Sequence, residues 1–180
     1  EENNNVWDAM CSVLEGFNTL SDGTSKECNT AYRAMASKIV TKAFKKVGFD
    51  PSDDDSHSTR LLRAAVLSQV GTFLKDDAEV VAECRRRFNG YEDDITLMPA
   101  DIQATILQIV LQNGGQAEYD QTMKMYMSTD DMQRKKIPLN VLGAVNDDKL
   151  KMATLEFALR SDDVKLQDFF YPIGSVTSNL

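Results

Sequence analysis

A continuous succession of short amphipathic helical patterns is the feature that most constrains the fold of this 180-residue chain. Apolar residues recur at steps of three and four, and Gly, Asn, Asp or Ser closes each pattern. No stretch of four or more residues alternates apolar and polar side chains with an enrichment in β-branched residues, so the sequence predicts no β-sheet. We therefore expect an all-α fold in which each helix buries one face against its neighbours.

The individual helices follow from these stripes. The cleanest stripe runs from Tyr32 to Val47, and Gly48 ends it. A helix from about His57 to Leu74 is apolar on most sides, which makes it the candidate central helix of the domain. The other expected helices are an N-terminal one ending near Leu20 with Val6, Met10, Val13, Leu14 and Phe17 on one face, one over about Asp77–Asn89, one begun by Pro99, one marked by Tyr119–Met127, one capped by Ser128–Asp130 and running to about Val145, one capped by Asn146, and one from near Ser161.

The spacing of the helices predicts their arrangement. Successive helices start about twenty residues apart, so two of them form a hairpin near the ~40-residue size of HEAT or armadillo-like units. We expect an irregular superhelix, or solenoid, of antiparallel helical hairpins that forms a single domain over residues 1–180. No strict sequence repeat is visible, and the hydrophobic fraction of 42% with 27% charged residues is that of a folded chain.

The charge balance and the cysteines limit the partners and the compartment. With 28 acidic against 20 basic residues, the chain repels phosphate backbones, so we expect no nucleic-acid partner. The densest basic run is Arg85–Arg87, which we expect to pair with carboxylates such as Glu79 and Glu83. No apolar run approaches the ~20 residues that span a bilayer, so no membrane partner is expected. Three widely spaced cysteines favour a reducing, cytoplasmic compartment.

The sequence carries no recognisable catalytic or metal-binding motif. His57 is the only histidine, which excludes an H-E-x-x-H zinc site and any two-histidine metal centre within this chain. A calcium loop beginning at Asp50 is excluded because Asp55 stands where glycine is needed and Leu61 where glutamate is needed. Cys84 falls in an apolar stripe and is expected in the core. We therefore predict no catalytic, cofactor-binding or metal-binding residue here.

Several short segments, taken in their order and spacing, resemble the helical C-terminal domain of the gluzincin zinc aminopeptidases, especially the puromycin-sensitive type. The resemblance starts with Gly48-Phe49-Asp50-Pro51, followed by His57 and by Leu61-Leu62-Arg63-Ala64-Ala65-Val66-Leu67. It covers about Val6 to Asn179. The remaining matching segments are Arg86-Arg87-Phe88, Ala100-Asp101-Ile102, Tyr119-Asp120, Asp131-Met132-Gln133, Leu142-Gly143-Ala144, Phe157-Ala158-Leu159 and Gln167-Asp168.

This resemblance implies a larger enzyme whose upstream thermolysin-like domain carries H-E-x-x-H, a zinc-ligating glutamate and a G-A-M-E-N motif. None of these is present in this chain. The resemblance thus implies a non-catalytic fragment that caps the active-site cavity and helps to hold or size-select peptide. Its implied partners are the upstream catalytic domain and the peptide substrate, and zinc is implied only for the parent. Both ends are expected to cut through helix-packing faces, which favours self-association.

Two positions depart from the family pattern, and two arginines are candidate site residues. Gln103 stands where relatives commonly have arginine, and the ring of Pro138 is expected to break or kink a helix near Ile137. Arg60 and Arg63 lie three residues apart on the candidate central helix, and either face the peptide cavity or form structural ion pairs with a neighbouring helix; pairing is favoured.

The alternative function is a HEAT-like protein-interaction scaffold unrelated to proteolysis, and an independent hydrolase is a third, less favoured class.

Overall fold

The computed structural model describes residues 4–160 and 162–179, and the regular secondary structure within these residues is entirely helical. The expected all-α class is confirmed. The chain divides into two compact units, of which the first ends at Lys75 and the second begins at Asp76; the single domain expected over residues 1–180 stays a prediction. The helices are α1 Asn4–Asp22, α2 Lys26–Val47 and α3 His57–Phe73 in the first unit, and α4 Ala78–Gly90, α5 Ala100–Gln112, α6 Gln116–Met127, α7 Met132–Val141, α8 Asp148–Arg160 and α9 Phe170–Thr177 in the second.

In the first unit α3 packs against both α1 and α2, so it is the central helix of that unit. Its expected place as the central helix of one domain over residues 1–180 stays a prediction. The side chain of Ser25 caps the start of α2 by accepting a hydrogen bond from the N–H of Cys28. At the other end of α2, Gly48 has φ 62° and ψ −173°. Residues with a Cβ rarely adopt these backbone angles, so glycine is strongly favoured at the position that ends α2.

The buried face of α1 is not the one that the sequence predicts. Of the expected stripe, only Leu14 is buried in the structure. Trp7 and Cys11, which the predicted stripe omits, complete the buried side. Four apolar side chains of this helix are 41–68% exposed, namely Val6, Val13, Phe17 and Leu20. The reason is that α1 is apolar over a wider arc than α2 and α3 cover, so an apolar face of α1 is exposed in the described structure.

The centre of the second unit is formed by α5 and α7. Helix α5 packs against α4, α6 and α7, and α7 packs in addition against α6 and α9. The inner residues of α5 are fully buried, and Gln103 is buried with them. A 3₁₀ turn at Leu142–Ala144 packs against α9 so closely that a Cβ on Gly143 would lie 2.5 Å from the backbone nitrogen of Val176. This position therefore requires glycine because no side-chain atom fits there.

The expected long helix from Ser128–Asp130 to Val145 is shorter in the structure. Asp131 is the N-cap of α7, since its carboxylate accepts hydrogen bonds from the backbone N–H groups of the second and third helical residues. Helix α7 continues through Pro138 and ends at Val141, so the helix is not broken near Ile137, and the kink that was the alternative expectation stays a prediction. The Pro138 ring is buried, and its burial offsets the one backbone hydrogen bond that proline cannot form.

Two further helix starts differ from the expectation. Asp147, not Asn146, caps α8 by accepting from the N–H groups of Lys149 and Leu150. The Asn146 side chain instead donates a hydrogen bond of 2.6 Å to the Gln112 carbonyl at the end of α5. Helix α9 begins only at residue 170, after a non-helical loop, and the start expected near Ser161 lies outside the described residues.

Candidate functional site

Arg63 ties the loop of residues 48–56 to the end of α2. One terminal nitrogen of its guanidinium lies 2.6 Å from the Asp55 carboxylate, and Nε donates a hydrogen bond of 2.9 Å to the Val47 carbonyl. The Asp55 carboxylate also accepts from the N–H of Ser52 at 2.7 Å. The hydrogen bond from Arg63, followed by that from Ser52, holds the pKa of Asp55 below its usual value. Arg63 is only 6% exposed, and its guanidinium joins the loop of residues 48–56 to the end of α2.

Arg60 has a different environment from Arg63 although the two lie three residues apart on α3. Arg60 is exposed, and its positive charge contributes least among the causes that lower the pKa of Asp55. The acidic partner of Arg63 lies in the preceding loop, whereas the sequence favoured a partner on a neighbouring helix. Contact of Arg60 or Arg63 with a peptide stays a prediction.

The basic run on α4 is paired with carboxylates, as the sequence predicts. Arg85 lies 3.0 Å from Glu118, and Arg86 and Arg87 each lie 2.7 Å from Glu83. The hydrogen bond from Arg86, together with that from Arg87 and the charges of both, lowers the pKa of Glu83 to about 2. These arginines therefore stabilise α4 and its contact with α6, and they do not form an unpaired basic stripe.

Among the residues that the structure describes, the side chains able to ligate a metal are not clustered. Within residues 4–160 and 162–179, no group of three or more His, Cys, Asp or Glu side chains is placed to hold a metal ion. His57 is exposed at the start of α3, where Ser56 is the N-cap. Cys84 is buried as expected, and burial raises its pKa to about 12, so its thiol stays protonated at neutral pH. None of the described helices is long and apolar enough to span a bilayer.

A small pocket in the second unit, which we call the Asp168 pocket, is a candidate ligand site that the sequence did not indicate. Its cavity volume is about 40 Å³. Buried side chains from α6, α7 and the loop before α9 form its floor, and more exposed side chains form its rim. The floor consists of Tyr126, Leu139 and Asp168, and the rim of Met132, Lys135, Lys136, Asp163 and Lys165.

The Asp168 pocket is lined by two carboxylates and three lysines, and its floor carries the hydroxyl of Tyr126. The hydroxyl of Tyr126 donates to the backbone carbonyl of Asp163 at 2.7 Å. Burial, and then the negative charges of Asp163 and Asp168, raise the pKa of Tyr126. In the described part of the chain, no group donates a hydrogen bond to the Asp168 carboxylate or forms an ion pair with it, although Asp168 is only 6% exposed. No local sequence pattern joins these residues, because they come from segments far apart in the chain.

Comparison with known proteins identifies relatives along the whole chain. The sequence profile of the family described as "ERAP1-like C-terminal domain" matches residues 1–180. The chain is 26% identical over 182 residues to "Aminopeptidase M1-B" of Oryza sativa subsp. japonica, an alignment that covers 98% of this chain and 20% of the relative. It is 31% identical over 137 residues to "Aminopeptidase M1" of Arabidopsis thaliana, with 73% of this chain and 15% of the relative covered. The chain is 25% identical over 163 residues to "Aminopeptidase N" of Lactococcus lactis subsp. lactis (strain IL1403), an alignment that covers 90% of this chain and 19% of the relative. The chain thus spans a fifth or less of the length of these relatives.

Proposed function

The chain belongs to the family of ERAP1-like C-terminal domains, and from this premise we propose that it is the non-catalytic, helical C-terminal part of a zinc aminopeptidase. The observation that carries the proposal is the family match over residues 1–180, combined with relatives that are named aminopeptidases and that are about five times longer or more. In this proposal the zinc and its ligands belong to a catalytic domain upstream in the parent chain.

The role of this part is to cap the active-site cavity and to help hold or size-select peptides. Each of the two compact helical units has its own buried core, and several charged groups in each are engaged in helix caps and ion pairs. Arg60 is the candidate side chain for contact with peptide, because it is exposed whereas Arg63 is buried. In this proposal the helical part contributes shape and charge, and the upstream domain contributes the chemistry.

The proposed partners are the upstream catalytic domain and the peptide. The exposed apolar face of α1 supports packing against further parts of a parent protein, and it also supports self-association of the isolated chain. The cytoplasmic location is supported by the three cysteines, all of which have free thiols.

Two further expectations from the sequence concern the type of aminopeptidase and the alternative function. The puromycin-sensitive type of aminopeptidase stays a prediction, since the aminopeptidases compared above are named M1 and N types. A HEAT-like scaffold unrelated to proteolysis is not favoured, because three relatives that cover 73–98% of this chain are named aminopeptidases.

The peptide-holding role is tested by charge reversal in the full-length protein. The substrates are a dipeptide and a longer peptide with the same N-terminal residue, and the variants are Arg60→Glu and the matched control Lys42→Glu, which reverses an exposed charge on α2. We expect Arg60→Glu to lower kcat/KM for the longer peptide by about tenfold, equivalent to the loss of one charged contact, and to leave the dipeptide unchanged. An equal effect on both substrates, or none on either, contradicts a contact between Arg60 and peptide.

A further inference from the structure

We propose that the Asp168 pocket binds a free α-amino acid, with the ammonium group of the ligand on the Asp168 carboxylate and its carboxylate on the rim lysines. The inference does not rest on the proposed function. It rests on the burial, the charges and the contacts of the residues that line the pocket.

The Asp168 carboxylate in the floor of the pocket favours binding of a cation that donates hydrogen bonds. Asp168 is buried, and in the described structure its carboxylate has neither a hydrogen-bond donor nor an ion-pair partner. Because Asp168 is 6% exposed and lines the cavity, a positively charged donor in the cavity can form a charge-assisted hydrogen bond with its carboxylate. The cavity of about 40 Å³ exceeds the ~10–15 Å³ that one water molecule needs. An ammonium group, which is similar in size to water, therefore fits beside Asp168.

The three lysines at the rim of the pocket favour binding of an anion. Lys135 and Lys136 lie over tyrosine rings, at 4.8 and 6.0 Å from the ring centroids, and the Nζ atom of Lys165 lies 3.3 Å from a methionine sulfur. These are weak contacts compared with a charge-assisted hydrogen bond to a carboxylate. Because the three lysine side chains line the same opening, a ligand carboxylate at the mouth can accept hydrogen bonds from them.

Only a ligand that carries both a positive and a negative charge can bind the carboxylate of the floor and the lysines of the rim at the same time. A simple anion bound to the lysines would lie against Asp168 and Asp163, and a simple cation bound to Asp168 would lie against three lysines. An α-amino acid carries an ammonium and a carboxylate on one carbon atom, and it can place the first inward and the second outward. Since the cavity has room for little more than the ammonium, the ligand side chain lies in the open mouth, and we expect little selection among small amino acids.

The experiment is a titration of the isotope-labelled 180-residue chain, followed by amide chemical shifts in NMR spectra. The ligands are glycine and two probes that each carry one of its charges, methylammonium and acetate. We expect saturable shifts at pocket residues with glycine, at a Kd on the order of 1 mM, and binding of each single-charge probe that is weaker by about tenfold or more. Absence of saturable shifts with glycine, or equal affinity for acetate or methylammonium, overturns the proposal.

Two variants and a control locate the ligand. Asp168→Asn keeps the shape of the floor and removes its charge, and Lys165→Gln removes one rim charge on an exposed side chain; each is expected to weaken glycine binding by about tenfold. Asp130→Asn, which removes an exposed charge outside the pocket, is expected to bind like the original chain. If circular dichroism shows that Asp168→Asn does not fold, the glycine affinity of Lys165→Gln alone tests the site. Unchanged glycine affinity in the folded pocket variants contradicts the site, and these titrations are independent of aminopeptidase activity.

Discussion

The guanidinium of Arg63 serves two acceptors at once, the Asp55 carboxylate and the Val47 carbonyl. Arg63→Met retains most of the buried side-chain volume but removes both donors. We expect the free energy of unfolding to fall by about 2 kcal/mol, because a buried carbonyl and a carboxylate lose a charged donor. Urea denaturation followed by circular dichroism measures the change. Arg60→Met, at an exposed position on the same helix, is expected to stay within about 0.5 kcal/mol of the original chain, and equal losses in both variants would contradict the role of Arg63.

Glu83 makes the stability of the chain sensitive to acid. Its pKa is lowered from 4.5 to about 2 by Arg86 and Arg87, so between these values the unfolded chain binds more protons than the folded one. The stabilisation is therefore fully present above pH 4.5 and is lost as the pH falls towards 2. Thermal unfolding at about pH 6 and about pH 3 is expected to show a smaller acid-induced fall in Tm for Glu83→Gln than for the original chain. Glu79→Gln, exposed on the same helix, is the control, and an unaltered fall in Glu83→Gln would refute the assignment.

Local spacing explains which residue roles the sequence predicts. The pairing of Arg86 and Arg87 with Glu83 and the burial of Cys84 were predictable, because both follow from positions three and four apart on one helix. The Asp168 pocket was not, since its charges come from α7 and from the loop before α9 and meet only through tertiary packing. The loop partner of Arg63 was missed for the same reason.

At the scale of helices, the end of α2 depends on the backbone freedom of Gly48. A residue with a Cβ is strained at φ 62° and ψ −173°, so Gly48→Ala is expected to lower the free energy of unfolding by about 1–3 kcal/mol. Gly16→Ala is the matched control, because Gly16 lies inside α1 and a Cβ there meets no atom within 4 Å. It is expected to raise stability by about 0.5–1 kcal/mol through its helix propensity. Urea denaturation of both variants checks the opposite signs, and a stabilising Gly48→Ala would show that α2 does not need glycine at its end.

The existence of most helices follows from the sequence, whereas their burial and their first residues do not. Helix α1 is apolar over a wide arc, so periodicity alone cannot tell which side the other helices cover. Several residues able to cap a helix stand in a row before α7 and before α8, and only the hydrogen bonds of Asp131 and Asp147 select between them. Pro138 inside α7 likewise reflects tertiary burial that overrides a local preference.

At the scale of the whole molecule, the exposed apolar face of α1 predicts self-association of the isolated chain. Val13 and Phe17 lie on this face, and light scattering is expected to show an apparent mass that rises with concentration. The double variant Val13→Glu with Phe17→Glu is expected to suppress the rise. Met152→Glu, which places the same charge at an exposed apolar position of α8, is expected to retain it. A strict monomer at every concentration contradicts this role of the α1 face.

The all-α class and the family were predictable because helical periodicity and the order of short segments extend along the entire chain. The division at Lys75 was not, because it depends on which helices pack together and not on any break in composition.

The central proposal is that this helical chain is the C-terminal part of a zinc aminopeptidase whose catalytic centre lies in an upstream domain. Its most direct test is one assay of the repeatedly purified 180-residue chain, which measures bound zinc and the release of amino acid from an aminoacyl-coumarin, with the full-length protein as the positive control. We predict no stoichiometric zinc and no turnover by the 180-residue chain. Turnover that survives repurification and is abolished by a chelator would contradict the account.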